Sequence, residues 1–283
     1  MNFLVLGCSG MAGHLISIYL QEHGEFVLGY SRRKVTFCKN VNFNIYETDK
    51  LKTLIQNSKI DIVVNCIGVL NSEAEDNMAN AVWLNSYLPH FLAQETRNLP
   101  TKIIQLSTDC VFSGMKGKYK DDEVPDGESF YDRSKALGEL IDNKNLTFRN
   151  SIVGPDLTED GVGLLNWFMK QKSISGFQKF MWSGVTTLVL AKAVRVAAYS
   201  GLSGLYQLSN NMPISKFDLC CLFNHYLRKD NVEIQPIPGP NLDKTLLRSS
   251  QPFDFDIPSY DQMVIDLKNW IDTHSSLYPH YYT

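Results

Sequence analysis

No run in this chain approaches the roughly 18 consecutive apolar residues that would read as a membrane-spanning helix. Its start enters an apolar strand almost at once, without the basic segment and longer apolar core of a secretory signal. Charge of one sign is also missing. The 27 Lys and Arg stand against 30 Asp and Glu, and the densest basic stretches are too sparse for a nucleic-acid surface. Partners held mainly by bulk electrostatics, nucleic acid and membrane surfaces among them, are therefore not expected. The six cysteines (Cys8, Cys38, Cys66, Cys110, Cys220, Cys221) form no CxxC pair, and several sit in apolar strands. That usage fits small buried hydrophobes in a reduced, cytoplasmic setting rather than a disulfide framework. The six histidines show no HxH or HExxH spacing, so no metal site is expected. There is no GxSxG elbow, and no lysine follows the glycines near the start, which excludes α/β-hydrolase and phosphate-loop ATPase chemistry.

What is present is a rhythm of short apolar runs and longer amphipathic ones. The 283 residues, 44% hydrophobic and 20% charged, suit a globular enzyme of one large domain with a smaller lobe. Strands are expected over residues 3–6, 26–30, 41–45, 60–67, 102–106 and 146–148. Helices are expected from about 15 to 20, 51 to 56, 74 to 97, and from 129 onward. Strands separated by helices imply parallel βαβ units, hence an α/β fold with a Rossmann-type doubly wound parallel sheet. The rhythm changes beyond residue 155. Residues 1–155 read as the nucleotide-binding domain, and residues 156–283 as a smaller C-terminal α/β substrate lobe whose segments can interleave with it. In this lobe helices are expected over 164–171, 188–199, 216–228 and 260–273, with strands over 204–208 and 232–237. A loop is expected over 236–258, where five prolines fall.

Gly7-Cys8-Ser9-Gly10-Met11-Ala12-Gly13 follows the first strand and opens the first helix. Gly7 permits a tight turn, Gly10 lets backbone approach a pyrophosphate, and Gly13 allows close helix–strand packing. The helix start then offers unpaired N–H groups to phosphates. After the second strand come Tyr30-Ser31-Arg32-Arg33-Lys34, a hydroxyl and three cations where an acid would bind the ribose hydroxyls of NAD. Guanidinium groups suit a 2′-phosphate, so Ser31, Arg32 and Arg33 point to NADP(H), with NAD(H) as the alternative. Ser107-Thr108-Asp109 ends the fifth strand, and Tyr131 and Lys135 follow at i and i+4 on one helix face. A neighbouring ammonium should lower the Tyr131 pKa towards neutrality and fit it for acid–base work. Ser129 and Asp132 fit a capping box at the start of that helix.

Five motifs, GCSGMAG (7–13), VVNCIG (63–68), STDCVFSG (107–114), YDRSKALGE (131–139) and FRNSIVG (148–154), resemble the extended short-chain dehydrogenase/reductase family. Within it they are most similar to the dTDP-4-dehydrorhamnose reductase branch, closely over the first 155 residues and more loosely beyond. The resemblance implies reduction of the 4-keto group of a nucleotide-linked 4-keto-6-deoxy sugar for surface-polysaccharide synthesis. It implies Tyr131 as proton donor, Lys135 as its partner and a holder of the nicotinamide ribose, and Thr108 as the group orienting the keto oxygen. Gly7, Gly10 and Gly13 would line the pyrophosphate, with Met11 and Ala12 giving backbone donors and Asn44 and Ile45 near adenine. Cys66, Gly68 and Ser107 would lie beside the cofactor. Ser151, on the segment passing the nicotinamide, is a substrate-side candidate with Trp182 and Lys244.

Two departures stand out. Asp132 replaces the Gly usual after the tyrosine, and its charge would raise the Tyr131 pKa. The Arg-Pro motif near the substrate phosphates is missing, and residues 242–245, with Lys244, stand in its place. The resemblance leaves two alternatives open. One is a sugar-nucleotide epimerase or dehydratase, although Cys110 stands where a dehydratase carries an acid. The other is an NADP-binding subunit without turnover, such as the regulatory subunit of methionine adenosyltransferase. A homodimer through helices is common in the superfamily, but no heptad pattern marks an interface here. Trp182 reads equally as a base- or sugar-stacking ring and as a core tryptophan with Ser/Thr capping the next helix. Asn85 reads as a solvent-facing helix residue first and a proton-relay residue second. Glu73, Glu75 and Asp76 read as a solvated loop, and Tyr278, Tyr281 and Tyr282 as packing or a frayed tail.

Overall fold

The computed structural model describes residues 1–248 and 253–282; residues 249–252, inside the expected proline-rich loop, and residue 283 lie outside them. In chain order the first half runs β1 (Asn2–Leu6), α1 (Met11–Glu22), β2 (Phe26–Tyr30), β3 (Lys39–Val41), α2 (Thr48–Asn57) and β4 (Ile62–Asn65). It continues with α3 (Asn71–Asp76), α4 (Met78–Ala81), a π-helical stretch Val82–Tyr87, α5 (Leu88–Glu95), β5 (Lys102–Leu106), α6 (Phe130–Leu137) and β6 (Leu146–Arg149). The second half runs β7 (Ile152–Val153), α7 (Leu164–Met169), β8 (Ser173–Phe177), β9 (Phe180–Trp182), β10 (Val185–Thr186) and α8 (Thr187–Tyr199). Then come β11 (Gly204–Gln207), β12 (Ile214–Ser215), α9 (Lys216–Arg228), β13 (Glu233–Ile237), β14 (Leu242–Asp243) and α10 (Tyr260–Thr273).

Seven strands form one sheet in the order β3-β2-β1-β4-β5-β6-β11, with every neighbouring pair parallel. Successive side chains of a strand point to opposite faces. Phe3 and Val5 accordingly join Leu15 and Ile16 of α1 and Leu190 and Val194 of α8. Leu4 and Leu6 join Leu51 and Ile55 of α2 and Leu88 and Leu92 of α5. Burial on both faces is why these strands read as continuous apolar runs. The strand order reverses between β1 and β4, and in such sheets the crevice for a ligand opens outside the carboxyl ends at that point. No described helix is long and apolar enough to cross a membrane.

Three expectations change. The third strand covers residues 39–41 rather than 41–45, because Tyr30 Oη bonds the Phe43 carbonyl (2.8 Å) and Asn44 Oδ1 accepts the Tyr46 N–H (3.2 Å), bending the chain away. The single helix expected over 74–97 is broken into four pieces. Asn77 caps a new start by accepting the Asn80 N–H (3.1 Å), and Pro89 cannot return a hydrogen bond to the Asn85 carbonyl, so the turn before it widens. Finally, α8 and β11 were expected with the smaller lobe, yet β11 pairs with β6 and α8 packs on α1 in the main sheet. What remains of the lobe carries small sheets, β12-β9-β14 and β13-β8, beside the crevice.

Candidate active site

The phosphate end of the crevice is built from backbone. Gly7 has φ +82°, a left-handed conformation that glycine adopts without cost, and its N–H and that of Cys8 both bond the Tyr30 carbonyl (2.8 and 3.0 Å). A Cβ on Gly13 would lie 2.2 Å from the Gly7 carbonyl oxygen, so only glycine lets α1 start this close to β1. Gly10 precedes α1 with no side-chain cap, which leaves the first N–H groups of the helix facing outward. His14, one turn in, donates from Nδ1 to the Gly10 carbonyl (2.9 Å) and accepts the Tyr278 hydroxyl at Nε2 (2.8 Å). Tyr278 is fully buried, so the C-terminal tyrosine is packing that braces the glycine loop, not a frayed tail.

A cleft of about 800 Å³ opens here, and Gly7, Gly10, Ser31, Arg32, Arg33, Asn44, Ile45, Cys66 and Gly68 all line it. Nine of the expected cofactor residues, from four separate chain segments, thus share one wall system. Met11, Ala12 and Gly13 stand behind it on the first turn of α1. Arg33 Nη2 donates to the Ser9 carbonyl (3.1 Å), tying the basic loop to the glycine loop, while Arg32 is exposed. Ser31 is buried, its hydroxyl bonded to the Arg33 carbonyl and to Asn40 Nδ2, so it shapes the loop from within.

The other end is built from buried side chains. Lys135 Nζ donates to the Leu106 carbonyl (2.7 Å) and lies 3.8 Å from where a Cβ on Gly68, a cleft-lining residue, would stand. Burial lowers its pKa to about 8, with Glu139 and then Cys66 working the other way. The Tyr131 phenol is pushed up, not down as the Tyr–Lys spacing predicted. Burial is the main cause, the Cys110 sulfur, Asp109 and Asp132 add to it, and the Thr108 hydroxyl opposes it. The lysine ammonium is engaged by a carbonyl instead, and desolvation of a phenolate dominates. Thr108 Oγ1 donates to Asp109 Oδ1 (3.1 Å) and accepts the Cys110 N–H (3.1 Å), holding the turn that faces the phenol. Asp132 forms the expected capping box with Ser129, and its carboxylate does raise the Tyr131 pKa.

Several supports were not read from the sequence. Glu75 is not merely solvated: its Oε1 accepts the N–H of Phe130 (2.7 Å) and of Tyr131 (3.4 Å), anchoring the start of α6. Asn85 is fully buried rather than solvent-facing. Its side chain bonds both the N–H (2.8 Å) and the carbonyl (3.0 Å) of Val69 and the Ser134 hydroxyl (3.0 Å), joining the loop after β4 to α6. A Cβ on Gly138 would fall 1.8 Å from the Asn85 carbonyl oxygen, so α6 can pack there only through glycine. Ser107, expected beside the cofactor, gives its hydroxyl to Glu139 Oε1 (2.7 Å), and Glu139 holds Arg149 through two bonds of 2.8 Å with both side chains buried. Helical spacing carried no sign of these contacts, since each partner lies on another element.

On the substrate side the three candidates separate. Trp182 is 2% exposed and packs against Tyr260, with Thr186 capping α8, so the structure decides for a core tryptophan and its ring is not open to a base. Ser151 is half-buried between β6 and β7, its carbonyl accepting the Val185 N–H (2.9 Å). Lys244 is half-buried, with its stem over Gly114 and its charge felt at the Cys110 thiol.

The family described as the RmlD substrate binding domain matches residues 1–153. The chain belongs to this family. Among relatives, methionine adenosyltransferase 2 subunit beta of Xenopus tropicalis is 24% identical over 251 residues, covering 83% of this chain and 74% of that protein. The protein named "Probable low-salt glycan biosynthesis reductase Agl14" of Haloferax volcanii is 31% identical over 177 residues, 59% of each chain. Among solved structures, dTDP-4-dehydrorhamnose reductase of Bacillus anthracis in complex with NADP superposes with a TM-score of 0.80 at 18% identity, covering 96% of this chain and 99% of that one. The likeness in fold thus extends over 96% of the chain, although the family match ends near β7.

Proposed function

We propose that the protein reduces the 4-keto group of a nucleotide-linked 4-keto-6-deoxy sugar, with NADP(H) as the nicotinamide cofactor. The observation that carries this reading is that the Thr108 hydroxyl meets the Tyr131 phenol and Lys135 reaches Gly68, whose loop lines the same 800 Å³ cleft as the glycine loop. The cleft suits a dinucleotide: Gly7 and Gly10 line one part of it without side chains, and Arg32 and Arg33 present cations beside Ser31 where a 2′-phosphate would lie. Gly7, Gly10 and the first turn of α1 would hold the pyrophosphate, and Lys135 the nicotinamide ribose. When bound, the cofactor supplies hydride to the carbonyl carbon.

The chain's own residues supply the rest. Because Tyr131 is pushed well above the ordinary phenol value, it carries its proton at neutral pH and gives it to the oxygen as negative charge develops there. The Thr108 hydroxyl orients the same oxygen, and its hydrogen bond is what opposes the rise in the Tyr131 pKa. Glu75 and Asn85 hold α6 and the loop after β4 so that these groups keep their relative positions. Asp132 makes the phenol a weaker acid than a neutral residue would.

The test is NADPH oxidation in the presence of dTDP-, UDP- and GDP-linked 4-keto-6-deoxy sugars, with Tyr131→Phe alongside. Turnover reduced about 10²–10⁴-fold in Tyr131→Phe, with NADPH affinity kept, is the expected result. The length of the match to methionine adenosyltransferase 2 subunit beta favours a second reading, an NADP-holding subunit without turnover. Tight NADPH binding with no turnover on any of these sugars would put that reading first.

A further inference from the structure

Cys8, inside the glycine loop, and Cys38, the residue before β3, bring their sulfurs together over Gly29 of β2. A Cβ on Gly29 would lie 2.6 Å from each sulfur, so the two thiols fill the place where a side chain would stand. Both cysteines are free, and the Cys38 S–H donates to the Cys8 sulfur. Asn40 Nδ2 donates to the same sulfur (3.6 Å). The Cys38 thiol is the main cause that pulls the Cys8 pKa below its ordinary value, against the opposing effect of burial. Thiols without such a partner behave in the reverse way, since burial pushes Cys110 up to about 12 and Cys220 to about 11.

The two thiols belong to segments of unequal freedom. The Cys8 N–H bonds the Tyr30 carbonyl (3.0 Å) beside that of Gly7 (2.8 Å), and Gly13 packs on the Gly7 carbonyl with no room for a Cβ. Cys38 instead closes residues 32–38, which form neither helix nor strand and carry the exposed Arg32, Arg33 and Lys34. Drawing two sulfurs from hydrogen-bond contact to a covalent bond of about 2.05 Å shortens their separation by roughly 1.5 Å. The glycine loop cannot yield, so the shift falls on the basic segment. Arg33 of that segment holds the Ser9 carbonyl (3.1 Å), and both arginines line the cleft.

Resting on the cofactor reading above, we propose that Cys8 and Cys38 form a redox-modification site: a peroxide converts them to a disulfide, which displaces Arg32 and Arg33 and weakens NADPH more than NADH. The Cys8 thiolate attacks one oxygen of hydrogen peroxide, breaking the O–O bond and leaving a sulfenic acid and hydroxide. The Cys38 sulfur then attacks the sulfenic sulfur, and its proton leaves with the displaced oxygen as water. Two electrons pass from the thiols to the peroxide. Linkage makes the coupling reciprocal. If the disulfide weakens NADPH tenfold, bound NADPH stabilises the dithiol by the same factor, raising its reduction potential by about 30 mV.

The experiment treats the reduced protein with hydrogen peroxide, maps its peptides without reductant, and titrates NADPH and NADH by fluorescence before and after. Trypsin releases Cys8 on peptide 1–32 and Cys38 on peptide 35–39, so the disulfide joins two otherwise separate peptides. The expected result is that junction, with NADPH weakened on the order of tenfold and NADH changed much less. Dithiothreitol should restore the affinity, which it would not do for oxidised methionine. Cys38→Ser and Cys38→Ala should keep the affinity of the reduced protein and make it indifferent to peroxide. An absent junction, a bond from Cys8 to Cys66 instead, or a joined protein that binds NADPH as before overturns the proposal. Equal losses for NADPH and NADH overturn it too, because the arginines would then not be what moved. If the reduced protein binds neither cofactor, the cofactor reading itself fails and takes this proposal with it.

Discussion

The two ends of the crevice are made of different materials. At the phosphate end, glycines bring backbone to backbone, and the contacts that matter are Gly7 to Tyr30 and Gly13 to Gly7. At the reaction end, the contacts are between side chains that have given up water: Lys135, Glu139, Arg149 and Tyr131. A backbone-built end tolerates little change at glycine but is indifferent to charge. A side-chain-built end rests on charges whose desolvation is offset only when every partner is in place. The contrast predicts where substitutions will hurt.

The largest stability effect is expected at the reaction end. Glu139→Gln leaves Arg149 buried with its bidentate partner neutralised and should cost roughly 3–5 kcal/mol, read from urea unfolding. A cost near that of a surface ion pair would mean the two ends are less different than the geometry implies.

The next prediction concerns the one titrating side chain that braces the backbone-built end. His14 is fully buried, and desolvation lowers its pKa from 6.5 to about 4. Between these values the unfolded chain binds a proton that the folded chain does not, so stability falls as pH drops from 6.5 towards 4. From pH 7 to pH 5 the loss should be about 2 kcal/mol. Comparing the wild type with His14→Gln at both pH values isolates this share, because the variant should lack that part of the pH slope. An unchanged slope would show that the histidine does not stay neutral in the fold.

The smallest effect sharpens the comparison from the ligand's side. Arg32 is exposed and holds no part of the fold together. Arg32→Ala should therefore leave the melting temperature alone while narrowing the preference for NADPH over NADH by about tenfold, roughly 1.4 kcal/mol, in fluorescence titrations. Equal losses for both cofactors would assign Arg32 to general electrostatics rather than to a 2′-phosphate.

The same contrast explains what could be read in advance. The doubly wound sheet was legible because strands buried on both faces are apolar throughout, and the glycine loop because a Cβ at Gly13 has nowhere to go. Tyr131 and Lys135 were legible as a pair on one helix face, but not the direction of the Tyr131 shift. That depends on how deeply α6 is covered, and on Asp109 and Cys110 arriving from the turn after β5. Glu75 and Asn85 looked like surface polar residues because the partners that bury or engage them, Phe130, Val69 and Ser134, are contributed by other segments.

The sequence by itself determined the elements whose causes are local: strand and helix periods, the glycine turn, the capping box of α6, and the basic segment after β2. Tertiary structure alone decided that α8 and β11 complete the main sheet, that Trp182 is core, and that Tyr278 braces the glycine loop through His14. Local causes act through the backbone over a few residues and leave a pattern in the order of amino acids. Desolvation and charge pairing act through space, between residues up to 264 positions apart as in His14 and Tyr278, and that order carries no mark of them until the chain has folded.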